Sequence, residues 1–455
     1  MPGRMEFELS AGRPPARRRA EGAAMRLLVM GDFSGLPAAE RPPLATRPTH
    51  AVDVDSLDVV LRRLAPRAAT AAGACRFESI DDFHPDALLQ RLPTLAALRA
   101  QRDGPPPAAG EDPLSLLLGR KAAPDAAPAV AAPAPTGLDA LLRQVVAPHI
   151  VPDRSATTAA WQAGVDAALG ESLRAVLHDP AFQALEAAWR GVQWMIASLE
   201  LDESLQLHVL DVTRDELLAD VVAAQGKLAQ TGLHHALADR WRNQPGGEGW
   251  AAVVALSRFG PGDTDIGLLA ALGLVASQAG GPLLAEADPS LADGEATSLA
   301  GWHALRRSEA APWIGLAAPR VLLRVPYGKA GEPLSGVSFE EFPGGTPTHD
   351  HLLWANPGLA VALLIARAFT ARGWAFEPGD EREIGDLPAV TLLIDGEKAL
   401  QPCAERWLGE HGAQAMLDAG LMPLASHRHR NAVTLARLQS IAAPAQALAG
   451  AWSAG

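Results

Sequence analysis

The stretch RLLVMGDFSG, from Arg26 to Gly35, joins four consecutive apolar residues to a polar turn bounded by glycines. A short apolar run that ends in turn residues predicts a buried β-strand. The turn has neither the glycine spacing of a dinucleotide-binding loop nor that of a P-loop, and Ser34 is misplaced for a nucleophile elbow. We therefore interpret GDFSG as a turn at the end of a buried strand.

A second stretch, HDPAFQALEAAWRG (His178–Gly191), predicts a short helix with signals at both ends. Asp179 is placed to cap the first free N–H groups, and Pro180 suits the first turn. Gly191 is the expected stop. The apolar side chains at i, i+3 and i+7, which share one face of this helix, are Phe182, Leu185 and Trp189. The stretch predicts a packing element without catalytic chemistry.

Composition excludes several classes of protein. The 455 residues carry a formal net charge of −13, which argues against a nucleic-acid-binding face. Cys75 and Cys403 are far apart in the sequence, so we expect neither a disulfide framework nor a thiolate zinc motif. We therefore expect a cytoplasmic location. No secretory signal is evident, and the most apolar run, Leu359–Ala366, is far shorter than the ~20 residues of a membrane-spanning helix. We expect no cofactor and no membrane insertion.

Domain organisation follows from an Ala/Pro-rich stretch in the first third of the chain. All eleven tryptophans lie at Trp161 or beyond. Predicted strands and helices alternate on both sides of the stretch, which favours an α/β (α+β) fold of mixed sheets with packed helices. We predict a domain at 1–103, a linker at 104–136 and a domain at 137–455.

Two apolar segments are candidates for binding a partner. In MEFELS the apolar residues alternate with glutamates, as in a strand with one wet face, and a basic, proline-containing connector follows. PLSLLLG is an apolar island inside the linker, which either docks on a partner or packs on its own protein. The candidate residues are Met5, Phe7, Leu9, Leu114, Leu116 and Leu117.

Histidine pairs raise an alternative, a metal-dependent hydrolase. His349 and His351, and likewise His427 and His429, are spaced i,i+2, so each pair would share a face of a strand. Arg428 lies within the second pair, however, and would repel a divalent cation. No further ligand cluster accompanies either pair, so we expect no metal site and no catalytic residue.

The stretch RVLLRVPYG contains the only tyrosine, Tyr327, and is expected to form a core strand. Arg320 and Arg324 flank its apolar part. They could bind a carboxylate-bearing partner or solvate the ends of the strand.

From about residue 25 to 101 the chain resembles the small subunit of the contractile sheath of bacterial type VI secretion. The resemblance rests on the GDFSG turn, on the acidic helix that begins near Asp55, and on DFHPD followed by PTLAAL. The residues that match the family's signature here are Gly31, Asp32, Phe33, Asp82, Phe83 and Pro85.

From about Leu138 onward the chain is similar to the large sheath subunit, in motifs that follow the family's order. HDPAFQALEAAWRG corresponds to the family's helix, and RVLLRVPYG and LLWANPGLAVALLIARAF follow. The signature residues on this side are Phe182, Leu185, Trp189, Arg190, Arg320, Arg324, Pro326, Tyr327, Trp354 and Asn356.

The resemblance implies a structural protein that acts by assembly and contraction around an inner tube rather than by catalysis. The expected partners are sheath subunits, the inner tube protein, the baseplate and an AAA+ unfoldase. The two subunits are normally separate chains, whereas here they are fused. The large-subunit resemblance ends near Pro444, so we expect the family's C-terminal portion to be missing. An accessory or terminating subunit, and a scaffold that does not polymerise, remain alternatives.

Overall fold

The computed structural model describes residues 19, 22–103, 157–293, 299–329, 331–344, 347, 349–377, 379–394 and 397–452, with side chains described outside 157–160 and 391–400. The proposed partner-binding residues Met5, Phe7, Leu9, Leu114, Leu116 and Leu117 lie outside the described residues, as does the predicted linker.

The strands, in chain order, are β1 Met25–Gly31, β2 His50–Val52, β3 Arg67–Thr70, β4 Gly73–Arg76, β5 Leu205–Asp211, β6 Ala252–Phe259, β7 Leu283–Ala287, β8 Ile314–Ala318, β9 Val321–Leu322, β10 Trp354–Ala355, β11 Glu383–Ile384, β12 Val390–Ile394, β13 Glu397–Gln401, β14 Met422–Ser426 and β15 Val433–Leu435.

The α-helices are α1 Leu57–Leu64, α2 Pro85–Arg91, α3 Pro93–Asp103, α4 Thr157–Leu177, α5 Pro180–Ser198, α6 Arg214–Ala223, α7 Gly232–His234, α8 Asp263–Ala279, α9 Ser290–Asp293, α10 Ala300–Leu305, α11 Pro357–Arg372 and α12 Glu410–Asp418. A π-helical segment, His235–Arg242, follows α7.

Within the described residues, nine strands form one mixed sheet, the central sheet, in the order β11-β15-β14-β8-β7-β6-β1-β5-β2. The neighbours from β5 to β14 pair in parallel, and β2, β15 and β11 pair antiparallel at the two edges. This arrangement confirms the mixed α/β fold class.

Strand β1 lies inside the central sheet. It pairs with β5 along its whole length and with β6 from Leu27 to Met30. Leu27, Leu28 and Val29 are fully buried, so both faces of β1 are covered, as expected for an interior parallel strand. The apolar run at the start of GDFSG is therefore a core strand whose partners come from far along the chain.

The described residues fall into two compact units, each built from separate stretches of sequence. The larger unit comprises 1–64, 187–324 and 352–455, and the smaller comprises 65–186 and 325–351. The predicted domains 1–103 and 137–455 do not coincide with these units, because β1 pairs with strands that lie beyond the predicted linker. The predicted boundary separates two regions of sequence resemblance, whereas the compact units follow strand pairing.

Helices cover both faces of the central sheet in the larger unit. The core that contains Leu28 and Met30 of β1 also contains the buried face of α8. Helix α11 packs against β6, β7 and β8 and contributes a second set of buried residues. Among the described residues, the segment Pro357–Ala375 is long and apolar enough to cross a membrane, yet 67% of it is buried inside the protein. It is the core helix of this face.

Helix α5 begins as the sequence predicts and ends later. The side chain of Asp179 accepts hydrogen bonds from the N–H groups of Ala181 and Phe182, at 3.0 and 2.9 Å. The expected stop at Gly191 is wrong, because the helix continues to Ser198. A Cβ at Gly191 would lie 2.6 Å from Cδ1 of Leu359 on α11, so this glycine allows two helices to approach closely.

The prediction that RVLLRVPYG forms a core strand is wrong in length, because the observed strand is shorter. Only Val321–Leu322 forms a strand, β9, which pairs with β10. The N–H of Leu323 still donates to the carbonyl of Leu353 at 3.0 Å. Pro326 has no N–H with which to continue the ladder, and the chain leaves the sheet.

Candidate functional site

The GDFSG turn is held by a buried carboxylate at the end of the neighbouring strand. Oδ1 of Asp211, the last residue of β5, accepts the N–H groups of Phe33 and Ser34 at 2.8 and 3.0 Å. Its Oδ2 accepts the Ser34 hydroxyl at 2.7 Å. Gly31 is needed at this point because a Cβ there would lie 2.7 Å from Cδ1 of Leu256 on β6. The turn is thus bound to β5 through a single carboxylate.

A buried arginine completes the turn. The Arg41 side chain is fully buried and contacts Asp211 at 2.9 Å and Asp32 at 2.5 Å. Burial acts to lower the pKa of Arg41, but the two carboxylates outweigh it and raise that pKa above its usual value. The charged form of this arginine is therefore strongly favoured.

A second arginine extends the network to α6. Arg47 donates to both carboxylate oxygens of Glu216, at 2.7 and 3.2 Å, and to the backbone carbonyl of Asp211 at 2.7 Å. Burial acts to raise the pKa of Glu216, whereas hydrogen bonds from Arg47 and from the Thr213 N–H outweigh it, and the net shift is downward. We call Asp32, Arg41, Arg47, Asp211 and Glu216 the turn network.

The turn network is built to hold a position rather than to react. Ser34 is 1% exposed and its hydroxyl donates to a carboxylate, so the oxygen is closed to a substrate. A nucleophile needs an adjacent base and an open approach. Removing one partner from a buried ion pair typically costs 3–5 kcal/mol, because the other charge stays buried. The network therefore fixes β1 to β5 at their carboxyl ends.

Trp189 reinforces the same turn from α5. Its Nε1 donates to the carbonyl of Phe33 at 2.8 Å, and the two rings meet edge to face with centroids 5.2 Å apart. Both side chains are fully buried. Arg190, the next residue, is half-buried. The tryptophan that the sequence singled out is thus part of the core of the larger unit.

In the smaller unit two signature residues, Phe83 and Phe182, belong to an aromatic cluster. Phe83 stacks on Phe77 with ring centroids 4.1 Å apart, and Phe182 lies 5.9 Å from both. Oδ2 of Asp82 accepts the N–H groups of Glu78 and Ser79 at 2.7 and 3.0 Å. Each of these residues therefore has a packing or capping role. Pro85 starts α2, and Leu185 is 4% exposed.

Arg320 belongs to a cluster of charges near the carboxyl ends of β6 and β7. Its guanidinium donates to both oxygens of Glu405, at 3.0 and 2.9 Å. Glu286 lies 3.9 Å from Arg320 and 3.7 Å from Arg258, which also pairs with Asp288 at 2.8 Å. Burial raises the pKa of Glu286 to about 7, against the opposing effect of Arg320. Sequence reasoning missed this carboxylate, which lies within an apolar strand.

The other signature residues have supporting roles in the structure. Arg324 is 8% exposed, so it does not solvate the end of a strand, and Tyr327 is 1% exposed. The Tyr327 N–H donates to Glu341 at 2.8 Å. Asn356 caps α11 by accepting the N–H of Gly358 at 2.9 Å, and Trp354 is buried in β10. Pro326 lies between Arg324 and Tyr327.

Neither histidine pair has the geometry of a metal site. His349 and His351 lie in a 3₁₀ helix, where residues two apart do not share a face. The His351 ring stacks on His178, with centroids 3.9 Å apart, and burial together with His178 lowers the pKa of His351. His427 contacts the Thr434 hydroxyl at 2.7 Å, and His429 is exposed. No group of three or more potential metal ligands occurs among the described residues.

Most of the turn network was invisible in the sequence. Arg41 and Arg47 lie in a proline-rich loop whose composition indicates only irregular structure. In the sequence, Asp211 stands at the end of a stretch in which apolar and polar residues alternate. An aspartate at that position is equally typical of a solvated turn. The pairing arises only when β1 and β5 become neighbours.

The chain is similar to known sheath proteins over most of its length. Residues 160–442 match the VipB family model, described as EvpB/VC_A0108, tail sheath N-terminal domain. Residues 18–104 match the family model for type VI secretion system VipA, VC_A0107 or Hcp2.

A protein of Pseudomonas aeruginosa PAO1, named type VI secretion system sheath protein TssC1, is 28% identical over 307 residues. The matched region is 62% of this chain and 61% of that relative, so the chain spans less than two thirds of the relative's length. The VipB match covers more than half of the chain. The chain therefore belongs to the type VI secretion tail sheath family, and it carries a small-subunit region and a large-subunit region in one polypeptide.

Proposed function

We propose that this chain is a structural subunit of a type VI secretion contractile sheath, acting in the cytoplasm by assembly and contraction around an inner tube. The observation that carries the proposal is the position of β1. This strand of the small-subunit region lies between β5 and β6 of the large-subunit region, so the two regions share one sheet. A fused chain with this sheet supplies both halves of a sheath subunit in a fixed ratio of one to one.

The mechanism in this proposal is mechanical. The turn network and Trp189 fix the part of the small-subunit region that contains β1 to strands of the large-subunit region in the larger unit, so that force applied to β1 is transmitted to those strands. Buried ion pairs with several hydrogen bonds resist displacement because each separated charge would stay desolvated. The unit then moves as a rigid body while contacts between copies change.

Partners of the assembly follow from the same proposal. Copies of this chain, or separate sheath subunits, would bind one another, and Met5–Leu9 and the island Leu114–Leu117 would supply strand or apolar contacts between them. The inner tube protein and the baseplate would bind the assembled polymer, and an AAA+ unfoldase would dismantle it after contraction. The chain itself would need no cofactor and perform no catalysis.

Electron microscopy tests this proposal. The full chain is co-expressed with the sheath and inner tube proteins of a type VI system, and the complexes are purified and imaged. We expect tubules or rings that contain the chain. A chain that co-purifies with sheath or baseplate but forms neither would be a scaffold that does not polymerise. Absence of co-purification would refute the sheath role.

Deletion of residues 1–18 tests the role of the N-terminal segment and keeps Arg19, whose guanidinium donates to the carbonyl of Trp250 at 2.9 Å. We expect loss of co-purification with sheath subunits and an unchanged thermal melt. Unchanged co-purification would refute intermolecular pairing through this segment.

A metal analysis tests the absence of catalysis. We expect no stoichiometric zinc. About one zinc per chain, lost in the His349→Ala/His351→Ala variant, would favour the hydrolase.

A further inference from the structure

Exposed apolar side chains are few among the described residues and are unevenly placed. The large ones are Val54, Val59, Val222 and Trp407, which are 79%, 45%, 46% and 44% exposed. Three of these four belong to two surfaces of opposite charge, both in the larger unit. Exposed tryptophan and arginine side chains are enriched at the centres of protein–protein contacts.

The first surface is the start of α1, which we call the acidic helix end: Asp53, Val54, Asp55, Asp58 and Val59. The N–H of Leu57 donates to the carbonyl of Asp53, so the helical turn already begins at Val54. Val54 and Asp58, and likewise Asp55 and Val59, are then i,i+4 neighbours on one face. The Asp53 carboxylate caps the turn by accepting the N–H groups of Asp55 and Ser56.

The second surface is the tryptophan patch: Arg406, Trp407, Arg428 and His429. The guanidinium carbon of Arg428 lies 5.2 Å from the centroid of the Trp407 ring. Ala404 donates its N–H to the Ser426 hydroxyl at 2.7 Å, which joins the two loops that carry the patch. Within the described part of the chain, no carboxylate forms an ion pair with Arg406 or Arg428. The patch thus offers an aromatic ring that contacts one arginine, Arg428, and follows another, Arg406, in the sequence of a chain whose net charge is −13.

The two surfaces lie at opposite sides of the central sheet. The acidic helix end follows the edge strand β2 directly, and Arg428 follows β14 by two residues. The order β14-β8-β7-β6-β1-β5-β2 separates these strands by six spacings, or roughly 29 Å at about 4.8 Å each. Within one molecule the two surfaces therefore cannot meet.

We propose that the tryptophan patch of one molecule binds the acidic helix end of a second copy of this chain. Trp407 packs between Val54 and Val59, while Arg406 and Arg428 face Asp55 and Asp58. The inference rests on the proposed sheath role and names one contact of that assembly. It joins the large-subunit region of one copy to the small-subunit region of the next.

The physical argument is complementarity. Charge alone gives little at an exposed surface, but an aromatic side chain at the centre of a contact, surrounded by pairs that exclude water, supplies most of the binding energy. Because the two surfaces differ and lie on opposite sides, the contact is head to tail, and it leads to rings or open helical polymers. That geometry is what a tubular sheath requires.

Sedimentation of the purified full chain tests this contact in 50 mM salt. Three variants remove the contact: Trp407→Ala, Arg406→Glu/Arg428→Glu, and Asp55→Lys/Asp58→Lys. We expect each to weaken self-association at least tenfold. The matched control, Arg437→Glu, changes an exposed arginine outside both surfaces and should associate like the original chain. Circular dichroism and thermal melting establish that every variant is folded.

The decisive experiment mixes the two charge-reversed variants in equal amounts. Each keeps the surface that the other has lost, so a head-to-tail contact predicts restored association in the mixture only. Equal association of all variants with the original chain would overturn this contact while leaving the sheath role intact. Absence of self-association by the original chain at 50 mM salt would also overturn it, whereas the sheath role is decided separately by co-purification.

Discussion

Removing β1 should unfold the large-subunit region. Of its residues, Met25, Leu27, Leu28 and Val29 are fully buried and Met30 is 2% exposed. Burying each such side chain contributes about 1.5–3 kcal/mol, so the five together contribute roughly 8–15 kcal/mol. That sum equals the whole free energy of unfolding of a typical domain, about 5–15 kcal/mol. In a fragment of residues 137–455, β1 is absent from its place between β5 and β6, so these two strands lose the partner that joins them.

The assay is co-expression of the two fragments, 1–103 and 137–455. We expect 137–455 alone to be insoluble or to melt without a cooperative transition. When both fragments are made together, they should co-purify by size exclusion and melt cooperatively, because the missing strand is supplied in trans. The co-expressed pair also controls for the loss of residues 104–136, because these residues are absent both from the pair and from the fragment 137–455 alone.

The reasoning would be refuted by a soluble, monomeric fragment 137–455 that melts cooperatively within a few degrees of the full chain. Such a result would mean that β5 and β6 close the sheet without β1. It would also support the domain boundaries that the sequence predicts.

Further substitutions test three particular contacts. Arg41→Met should lower the free energy of unfolding by about 3 kcal/mol in urea titrations, since it leaves the buried carboxylate of Asp211 without its ion-pair partner; a loss no larger than that of the exposed control Arg437→Glu would contradict the buried network. Gly191→Ala should lower the free energy of unfolding by about 1–3 kcal/mol, although alanine has the better helix propensity. Adding Leu359→Ala to that variant should restore part of the lost stability. Additive effects of the two substitutions would argue against the close approach of the two helices. For Glu286, the folded pKa of about 7 exceeds the ordinary 4.5, so stability falls by about 3 kcal/mol as pH rises from 4.5 through 7. Glu286→Gln should remove that slope from melting curves, and an unchanged slope would exclude the carboxyl group as its source.

Local sequence signals predicted individual elements well. The run of apolar residues before GDFSG is strand β1, and Asp179 caps α5 as its position before Pro180 indicates. Both signals act over a few residues, where backbone geometry and hydrogen-bonding groups decide the outcome.

Features set by distant contacts could not be predicted. Gly191 is a residue type that often ends helices, yet here it lies within α5 and allows α11 to approach. Nothing near Arg41 shows that its partner is Asp211, 170 positions away in the chain. The same holds for β1, whose neighbours are fixed by strand pairing rather than by any local pattern. Most of the candidate site consists of such pairings.

The interior place of β1 has a consequence for how the chain is made. The ribosome synthesises this strand first, whereas its partners β5 and β6 begin about 170 and 220 residues later. At a synthesis rate of about 5–20 residues per second, roughly 9–35 s pass between the synthesis of β1 and the start of β5. During that interval the growing polypeptide exposes a strand whose two faces belong in a core. Translation speed and chaperone occupancy should therefore control the yield of this fused chain more strongly than that of two subunits made separately.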